Sequence, residues 1–384
     1  MFDFSRENLD REFPVRKNLV YLNHAAVAPL PARVARAITD FTREASEYGA
    51  LHWKKWYRHY DEMREKAARF VGAESHEISF LPSTSYGLNL VAQGISWRTG
   101  DSVLGDDMEF PANVYPWMNL ADRGVEYFMV RHRDGRMVTE DIADRIDPTT
   151  RVIAISWVAF HNGAVAPLSE IGRLCHERNI LFVVDAIQGL GTMPLDVKAL
   201  SIDVLVADGH KFLYGAEGCA IFYASEKARR RIGTPWAGWW NVKSGASFLD
   251  YRLEFFEGGR RFEPGSLPTA QLFGLGAALD LLTEIGMETA RDRLAALTGA
   301  LKTGLTDRGW TIATPTGSVS AIVAAVPPDG DARKAYNALL EKGIVTSARE
   351  GAVRFAPHVG NDESEIERVL EAVRAIANGA GTSR

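Results

Sequence analysis

Residues 204–223 read VLVADGHKFLYGAEGCAIFY, and two apolar runs in this stretch, 204–207 and 219–223, enclose a polar loop that holds Lys211. Short apolar runs are typical of strands that are buried on both faces of a sheet. Lysine is rarely buried, and a desolvated lysine loses its proton readily. The stretch therefore predicts an amine at the edge of a buried sheet, and a neutral amine is what a Schiff base requires. A surface lysine in a turn is the plainer alternative.

The same alternation of apolar runs and amphipathic stretches extends over about residues 70–225. Residues 169–178, for example, carry Ile171, Leu174 and Cys175 on one face of a predicted helix. Buried strands that alternate with helices indicate an α/β fold, with a mostly parallel sheet covered on both sides. The further predicted strands are 78–81, 102–104, 127–130, 152–157 and 180–184.

The second half of the chain changes character after about residue 265. Residues 269–309 predict two long helices broken near Gly286, because their apolar residues follow a 3.6-residue period. Strands are predicted at 320–326, 344–347 and 352–355, with helices at 332–342 and 362–377. We therefore expect a large domain over residues 16–265. A smaller α+β domain would comprise residues 266–384 together with residues 1–15.

Composition and charge exclude several classes of function. Apolar residues make up 46% of the 384 residues and the formal net charge is −5, so neither nucleic acid nor an anionic membrane is an expected partner. The N-terminus is charged from residue 3 onward and predicts no signal peptide, and no apolar run approaches the roughly 18–20 residues of a membrane span. The two cysteines form no CxxC pair, which predicts no zinc or other metal site and a reducing, cytoplasmic location.

An acidic residue follows the apolar run of LFVVDAIQGLG, which spans residues 181–191. Asp185 would lie at the carboxyl end of a buried strand, where an ionised carboxylate needs a partner. A helix cap or a buried ion pair would explain Asp185 alone. Together with Lys211, however, it supplies what pyridoxal phosphate needs: an amine for the imine and an acid that keeps the pyridine nitrogen protonated. Gln188, a few residues further on, is placed to reach the 3-oxygen of the ring or the Schiff base.

A phosphate cradle is predicted in SFLPSTSYGLNLVA, residues 79–92. A strand leads into three hydroxyl side chains, Ser83, Thr84 and Ser85, and then into a helix. Hydroxyl groups and free backbone N–H groups at the start of a helix bind phosphate well. A simple Ser or Thr helix cap is the alternative for this segment taken alone.

Seven motifs follow one another along the chain: YLNHAAVAPLP (21–31), STSYGLN (83–89), DDMEFPANVYPW (106–117), DAIQGLG (185–191), ADGHKFLYGAEG (207–218), RFEPGSLP (261–268) and VRFAPHVGNDESEIERV (353–369). In this order they resemble the class V aminotransferase-like, fold-type I pyridoxal phosphate enzymes, a group that includes cysteine desulfurases and isopenicillin N epimerase. The resemblance covers essentially the whole chain. It implies a large domain with a mostly parallel seven-stranded sheet between helices, a smaller C-terminal α+β domain, and a homodimer whose active sites are completed by the neighbouring subunit.

The resemblance also implies roles at the cofactor. Lys211 would be the Schiff-base lysine and proton shuttle, Asp185 would pair with the pyridinium, and Gln188 would hydrogen-bond near the 3-oxygen. We expect Asp208 to point away from the phosphate, because the two would repel each other, and either to orient His210 or to cap the loop. The phosphate would be held by Thr84, Ser85, His210 and, from the neighbouring subunit, Ser266.

A second set of residues is expected to contact the substrate. Arg354 matches the arginine that clamps the substrate carboxylate, and bidentate guanidinium–carboxylate pairing is the physical reason for an arginine there. Asn23 and His24 would lie near the substrate entrance. His161 and Asn162 follow the predicted strand 152–157 and would contact either the substrate or the 3-oxygen of the cofactor.

Two departures from cysteine desulfurases limit the chemistry. Where those enzymes stack a histidine on the cofactor ring, this chain has Phe110, which can stack but cannot transfer protons. The desulfurases also carry a nucleophilic cysteine on a loop before the carboxylate arginine. Here the corresponding residues 347–357, SAREGAVRFAP, contain no cysteine and leave too short a loop. Cys175 and Cys219 fall in a helix and at the start of a strand, so a persulfide mechanism is disfavoured.

Three tryptophans, Trp236, Trp239 and Trp240, lie in one glycine-containing segment. Packing at the dimer interface is one interpretation of this cluster. A wall of the substrate pocket, donated by the other subunit, is the other.

The reaction itself is left open by the sequence. Lys211 would remove the α-proton of an amino acid, and the fate of the resulting carbanion decides the outcome. We favour transamination, with β-elimination by a carbon–sulfur lyase and epimerisation as alternatives. A nucleotide-dependent dehydrogenase is disfavoured because no GxGxxG motif follows a strand, and a non-catalytic binding protein because Lys211 and Asp185 are both present.

Overall fold

The computed structural model describes residues 2–243 and 248–379 of the chain. Within these ranges the strands are β1 (Val20–Tyr21), β2 (Ile78–Leu81), β3 (Ser102–Asp106), β4 (Glu126–Val130), β5 (Thr150–Ser156), β6 (Leu181–Asp185), β7 (Val204–Asp208), β8 (Ala220–Ala224), β9 (Thr311–Ile312), β10 (Val323–Val326), β11 (Ile344–Val345), β12 (Ser347–Arg349) and β13 (Ala352–Phe355).

The α-helices of the described ranges are α1 (Arg6–Glu12), α2 (Ala32–Tyr48), α3 (Trp53–Val71), α4 (Thr84–Gly94), α5 (Tyr115–Met118), α6 (Thr139–Arg145), α7 (Leu168–Glu177), α8 (Glu226–Arg231), α9 (Thr269–Ile285), α10 (Met287–Thr306), α11 (Ala332–Glu341) and α12 (Glu363–Gly379). Short 3₁₀ helices lie at Pro14–Lys17, Ser75–Glu77, Pro111–Asn113, Ala121–Arg123 and Gly259–Phe262. Across the described ranges, no helix combines the length and the apolar character that a membrane span requires.

The central sheet has seven strands in the spatial order β2-β8-β7-β6-β5-β3-β4. Strands β3 to β7 run parallel to their neighbours, whereas β8 runs antiparallel to β7, and β2 antiparallel to β8. The predicted mostly parallel α/β sheet is therefore confirmed. Because parallel strands end at the same edge, the residues that follow β5, β6 and β7 meet there, which is where ligands bind in such sheets.

Both faces of this sheet are buried, as its uninterrupted apolar runs predicted. Phe182 and Val184 of β6 point into one apolar cluster, and Leu181 and Val183 point into another on the opposite face. Complete burial of such a side chain stabilises the fold by about 1.5–3 kcal/mol. Gly87 of α4 allows close packing here, because a Cβ at this position would lie 2.8 Å from Cγ2 of Val206.

A smaller antiparallel sheet in the order β12-β13-β10-β9 follows in the C-terminal part. The predicted strand 344–347 is divided in two, because β11 pairs with β1 whereas β12 pairs with β13. The predicted strand 320–326 begins only at Val323. The N-terminus packs against the C-terminal part through ion pairs of Arg16 with Asp362 and Glu365. The division into domains 16–265 and 1–15 with 266–384 stays a prediction.

Candidate active site

A cavity of about 270 Å³ opens at the edge of the central sheet where the parallel strands end. It brings together residues that are far apart in sequence, from the N-terminal segment, the starts of loops and the β12–β13 hairpin. The lining residues are Ala25, Ala26, Ser83, Thr84, Ser85, Phe110, Ala112, Phe160, Asp185, Ile187, Gln188, Asp208, His210, Lys211, Arg349 and Arg354.

Lys211 and Asp185 lie in this cavity: Asp185 is the last residue of β6, and Lys211 lies on the loop that follows the neighbouring strand β7. Burial lowers the pKa of Lys211 to about 8, although the nearby Asp185 opposes this shift. Burial raises the pKa of Asp185 to about 6, against the opposing effects of the Ile187 N–H, which donates to its carboxylate at 3.0 Å, and of Lys211. The amine is therefore easily made neutral, as imine formation requires.

The start of α4 forms the polar end of the cavity. Ser83 caps this helix by accepting a hydrogen bond from the Tyr86 N–H at 3.1 Å, and Thr84 and Ser85 occupy the first two helical positions. The first N–H groups of a helix have no partner within the helix and favour an anion. Thr84 Oγ1 also accepts a hydrogen bond from the Asp208 N–H at 3.0 Å, which ties the helix start to the end of β7.

His210 and Asp208 face each other beside this helix start. Nδ1 of His210 lies 3.1 Å from Oδ2 of Asp208, yet the ring is not directed for a hydrogen bond, and Nδ1 and the buried Oδ1 of Asp208 both lack a hydrogen-bond partner. Asp208 lines the cavity with its carboxylate beside His210, and its orientation away from the phosphate stays a prediction. The hydrogen bond from the Asp208 N–H to Thr84 Oγ1 holds this backbone beside the start of α4.

Gln188 and Phe110 complete the walls on either side of Lys211. Nε2 of Gln188 donates to the Ala25 carbonyl at 3.0 Å, while its buried Oε1 has no partner. The Phe110 ring is 43% exposed and its centroid lies 5.6 Å from Lys211 Nζ and 5.2 Å from the Phe160 ring. Buried polar atoms without partners are rare in proteins. Their presence here, beside an exposed aromatic face, fits a flat polar cofactor.

Glu109, next to Phe110, is half-buried and lies near Asp185. Its carboxyl group accepts hydrogen bonds from the backbone N–H and the hydroxyl group of Ser156, which is the register partner of Asp185. Burial raises the pKa of Glu109 to about 8, and the nearby charges of Asp185 and Asp106 add to the shift. These hydrogen bonds anchor the segment that carries Phe110 to the end of β5.

Arg354 lies opposite the sheet edge, on β13, and is only 2% exposed. Its Nη1 donates to the Phe160 carbonyl at 2.6 Å and its Nη2 to Oδ1 of Asn23 at 3.4 Å, while Nε has no partner. Burial, with a contribution from Arg349, lowers its pKa to about 10. No carboxylate of the described residues forms an ion pair with this guanidinium, so the site is suited to an anionic ligand.

Several predicted residues lie outside the cavity lining. His24 is buried against the Ala356 carbonyl at 2.9 Å, and burial lowers its pKa to about 4. Asn162 is also buried; it donates to the Gly135 carbonyl and accepts from the Ala164 N–H, both at 2.9 Å, which secures its loop. His161 packs edge-on against Phe160, and Ser266 is exposed. Asn23 touches Arg354 instead of lining the cavity. The roles of these residues stay predictions.

The three tryptophans also lie away from the cavity lining. Trp236 packs on the Tyr86 ring at 4.8 Å, and Trp240 lies 4.8 Å from the Tyr57 ring and 4.0 Å from the Arg260 guanidinium. Trp239 is exposed. The three tryptophans therefore do not form a wall of the cavity in their own subunit.

The sequence interpretation missed several lining residues, of which Arg349 is the most polar. The Glu350-Gly351 turn and the alternation of β12 and β13 could have identified it. Such a two-residue hairpin sets Ser347 opposite Arg354 and Arg349 opposite Ala352. Ala25, Ala26 and Phe160 carried no such signal, because their place depends on how distant loops fold back.

The fold and the site define a class: an α/β enzyme with a buried lysine, an acid on the neighbouring strand and an anion cradle at a helix start. Comparison with known proteins agrees with this description. A profile described as "Aminotransferase class-V" matches residues 20–360. The chain therefore belongs to the class-V aminotransferase family, and it is a pyridoxal phosphate-dependent enzyme.

Individual relatives carry different names. A probable cysteine desulfurase of Methanothermobacter thermautotrophicus is 35% identical over 294 residues, which cover 73% of this chain and 71% of the relative. An uncharacterized aminotransferase of Bacillus subtilis is 26% identical over 94% of this chain and 96% of its own. The apo structure of a cysteine desulfurase from Thermococcus onnurineus superposes with a TM-score of 0.89 at 23% identity, covering 97% of this chain and 98% of that one, and this likeness shows the fold.

Proposed function

We propose that this enzyme transfers the amino group of an α-amino acid, with pyridoxal phosphate held on Lys211. The observation that carries the proposal is one cavity in which Lys211 and Asp185 face Arg354, a buried guanidinium without an acidic partner. Amine, ring acid and carboxylate clamp are the groups that chemistry at the α-carbon of an amino acid needs.

Each group has a distinct task in this proposal. The cofactor, when bound, supplies the ring that takes up the electrons left at the α-carbon. Asp185 would keep a proton on the ring nitrogen, Gln188 would hydrogen-bond near the 3-oxygen, and Phe110 would cover one face of the ring. Lys211 would be the base that takes the α-proton of the substrate and the acid that later returns a proton to carbon. Arg354 holds the carboxylate, which fixes the direction of the α-hydrogen.

Thr84, Ser85 and His210 would hold the cofactor phosphate. The uncommitted N–H groups at the start of α4 and the hydroxyl groups on its first turn support this role. Nδ1 of His210 has no hydrogen-bond partner among the described residues, which leaves it available to the phosphate.

A homodimer is part of the proposal. Large apolar side chains are left exposed on one loop, among them Phe248 at 78% and Tyr251 at 85%. Apolar side chains exposed together are typical of a protein–protein interface. Ser266, predicted to reach the phosphate of a neighbouring subunit, is exposed as that role requires. Light scattering of the purified protein should give twice the mass of one chain; a monomer that binds the cofactor would contradict this part.

A cytoplasmic location is also proposed. Cys175 and Cys219 are both free and buried, and burial raises the pKa of both thiols, so that they stay protonated. Unpaired structural thiols are typical of proteins in a reducing compartment.

Carbon–sulfur bond cleavage by β-elimination is the second candidate, and the similarity to a probable cysteine desulfurase favours it. The desulfurase reaction itself is disfavoured, because β12 and β13 are joined by a two-residue turn and neither cysteine of the chain lines the cavity. Elimination needs no thiol on the enzyme, since Lys211 could remove the α-proton before the β-substituent leaves.

One experiment separates the two candidates. The holoenzyme is incubated with single amino acids in the absence of an amino acceptor, and the products are identified by mass spectrometry. Transamination predicts one equivalent of the 2-oxo acid and conversion of the cofactor to its aminated form. Elimination predicts pyruvate and ammonia, formed repeatedly from cysteine or cystine with the cofactor unchanged. Exchange of the α-hydrogen without either product would overturn both and point to epimerisation.

A further inference from the structure

Arg349 carries a second guanidinium group on the hairpin side of the cavity. It lines the cavity together with Arg354. The register of the hairpin, Ser347 opposite Arg354 and Arg349 opposite Ala352, puts Arg349 and Arg354 on the same face in diagonal positions. Residues in such diagonal positions lie about 7–8 Å apart, and their Cβ atoms somewhat less. Two groups of one small molecule can therefore each meet one of the two guanidinium groups.

Each acidic side chain of the cavity lies near a basic side chain other than Arg349. Asp185 is near Lys211, and Asp208 is near His210. The substrate carboxylate is assigned to Arg354. Throughout residues 2–243 and 248–379, no acceptor lies within hydrogen-bonding or ion-pair distance of the Arg349 guanidinium, including the carboxylate of the adjacent Glu350.

The unpaired charge of Arg349 also acts on its neighbours. Arg349 is among the causes that lower the pKa of Arg354 and of Lys211. The repulsion between these two guanidinium groups decreases when each of them binds an anion. A single α-carboxylate supplies one such anion, and a side-chain carboxylate on the same substrate supplies the second.

We propose that Arg349 binds the side-chain carboxylate of the substrate, so that the enzyme prefers acidic amino acids of the aspartate and glutamate type. This inference rests on the proposed function, since it assumes that Arg354 holds the α-carboxylate. Arg349 is exposed and lies on an edge strand, so its replacement leaves the packing of the hairpin unchanged. Arg349 therefore contributes to the choice of substrate and not to the stability of the fold.

The test compares acids with their isosteric amides. For the holoenzyme, kcat/KM should be at least about tenfold higher for aspartate or glutamate than for asparagine or glutamine, as expected for one charge-assisted hydrogen bond. Arg349→Gln should remove this preference and change kcat/KM for the amides by less than about twofold. Arg349→Lys should keep part of the preference. Arg368→Gln, which removes an exposed charge from α12, should change nothing.

A binding measurement gives a readout without turnover. Succinate should bind the holoenzyme at least about tenfold more tightly than its monoamide succinamate, and Arg349→Gln should abolish that difference. Equal losses for acids and amides in Arg349→Gln would overturn the proposal and make Arg349 a second ligand of the α-carboxylate. No acid preference in the unmodified enzyme would also overturn it. Failure of the proposed function looks different, because no amino acid, acidic or neutral, would then react.

Discussion

The two sides of the cavity differ in how their charges are compensated. On the sheet side, Asp185 and Lys211 lie near each other, and Asp208 lies near His210. On the hairpin side, Arg354 and Arg349 have no acidic partner among the described residues. The difference indicates that the sheet side is suited to a permanently bound cofactor and the hairpin side to an anion that binds and dissociates. Changes on the sheet side should therefore affect every substrate, and changes on the hairpin side should affect substrate binding.

The largest effect is expected for Lys211→Ala. Loss of the amine removes both the covalent attachment of the cofactor and the group that moves the α-proton, so kcat should fall by about 10²–10⁴-fold or more for every amino acid. Steady-state kinetics and the visible absorbance of the cofactor measure the two losses. Lys342→Ala, at an exposed lysine beyond α11, is the matched control and should retain both.

The second-largest effect is expected for Asp185→Asn. The amide keeps the shape of the side chain but cannot hold a proton on the ring nitrogen by charge. Loss of one partner of a buried ion pair costs about 3–5 kcal/mol, which corresponds to a fall in kcat of roughly 10²–10⁴-fold. The absorbance of the cofactor on Lys211 should remain. A variant with nearly normal kcat would mean that Asp185 does not face the ring nitrogen.

Arg354→Gln tests the other side of the cavity. The substrate carboxylate would lose its charged partner, and KM for amino acids should rise by about 10–10²-fold while the cofactor stays bound with unchanged absorbance. KM reports on the hairpin side of the cavity, and the absorbance of the cofactor reports on the sheet side. Loss of the cofactor from this variant would contradict the division of labour between sheet and hairpin.

The smallest effect is a pH dependence of cofactor uptake. The neutral amine of Lys211 reacts with the aldehyde, and raising the pH removes the proton. With a pKa of about 8, the neutral fraction grows about tenfold between pH 7 and 9 and then levels off. A lysine with an ordinary pKa near 10.4 would instead gain nearly 100-fold over this interval and continue to rise. Stopped-flow absorbance of apoprotein mixed with pyridoxal phosphate distinguishes the two.

The sequence was sufficient for the strands and for the chemistry at their ends. Apolar runs such as 181–184 and 204–207 leave little choice but a buried parallel strand, and the residues just beyond them must meet at one edge. The predicted pair of Asp185 and Lys211 in one cavity follows from that rule. The break near Gly286 between α9 and α10 was likewise visible in the apolar period.

What could not be predicted depends on contacts between distant segments. The loop that carries Asn162 turns its amide onto Gly135, and Ala356 draws the His24 ring into the core; neither partner is near in sequence. The position of Asp208 also depends on such a contact, because its N–H donates to Thr84 Oγ1, 124 residues away in sequence.

The central claim, that Lys211 holds the cofactor, is tested most directly by reducing the holoenzyme with borohydride and mapping the labelled peptide. Reduction converts the imine to a stable secondary amine, so the cofactor remains on the lysine that held it. The predicted result is a single pyridoxyl group on the peptide that contains Lys211, and none in Lys211→Ala. A label on another lysine, or no label in a protein that binds the cofactor, would contradict the account.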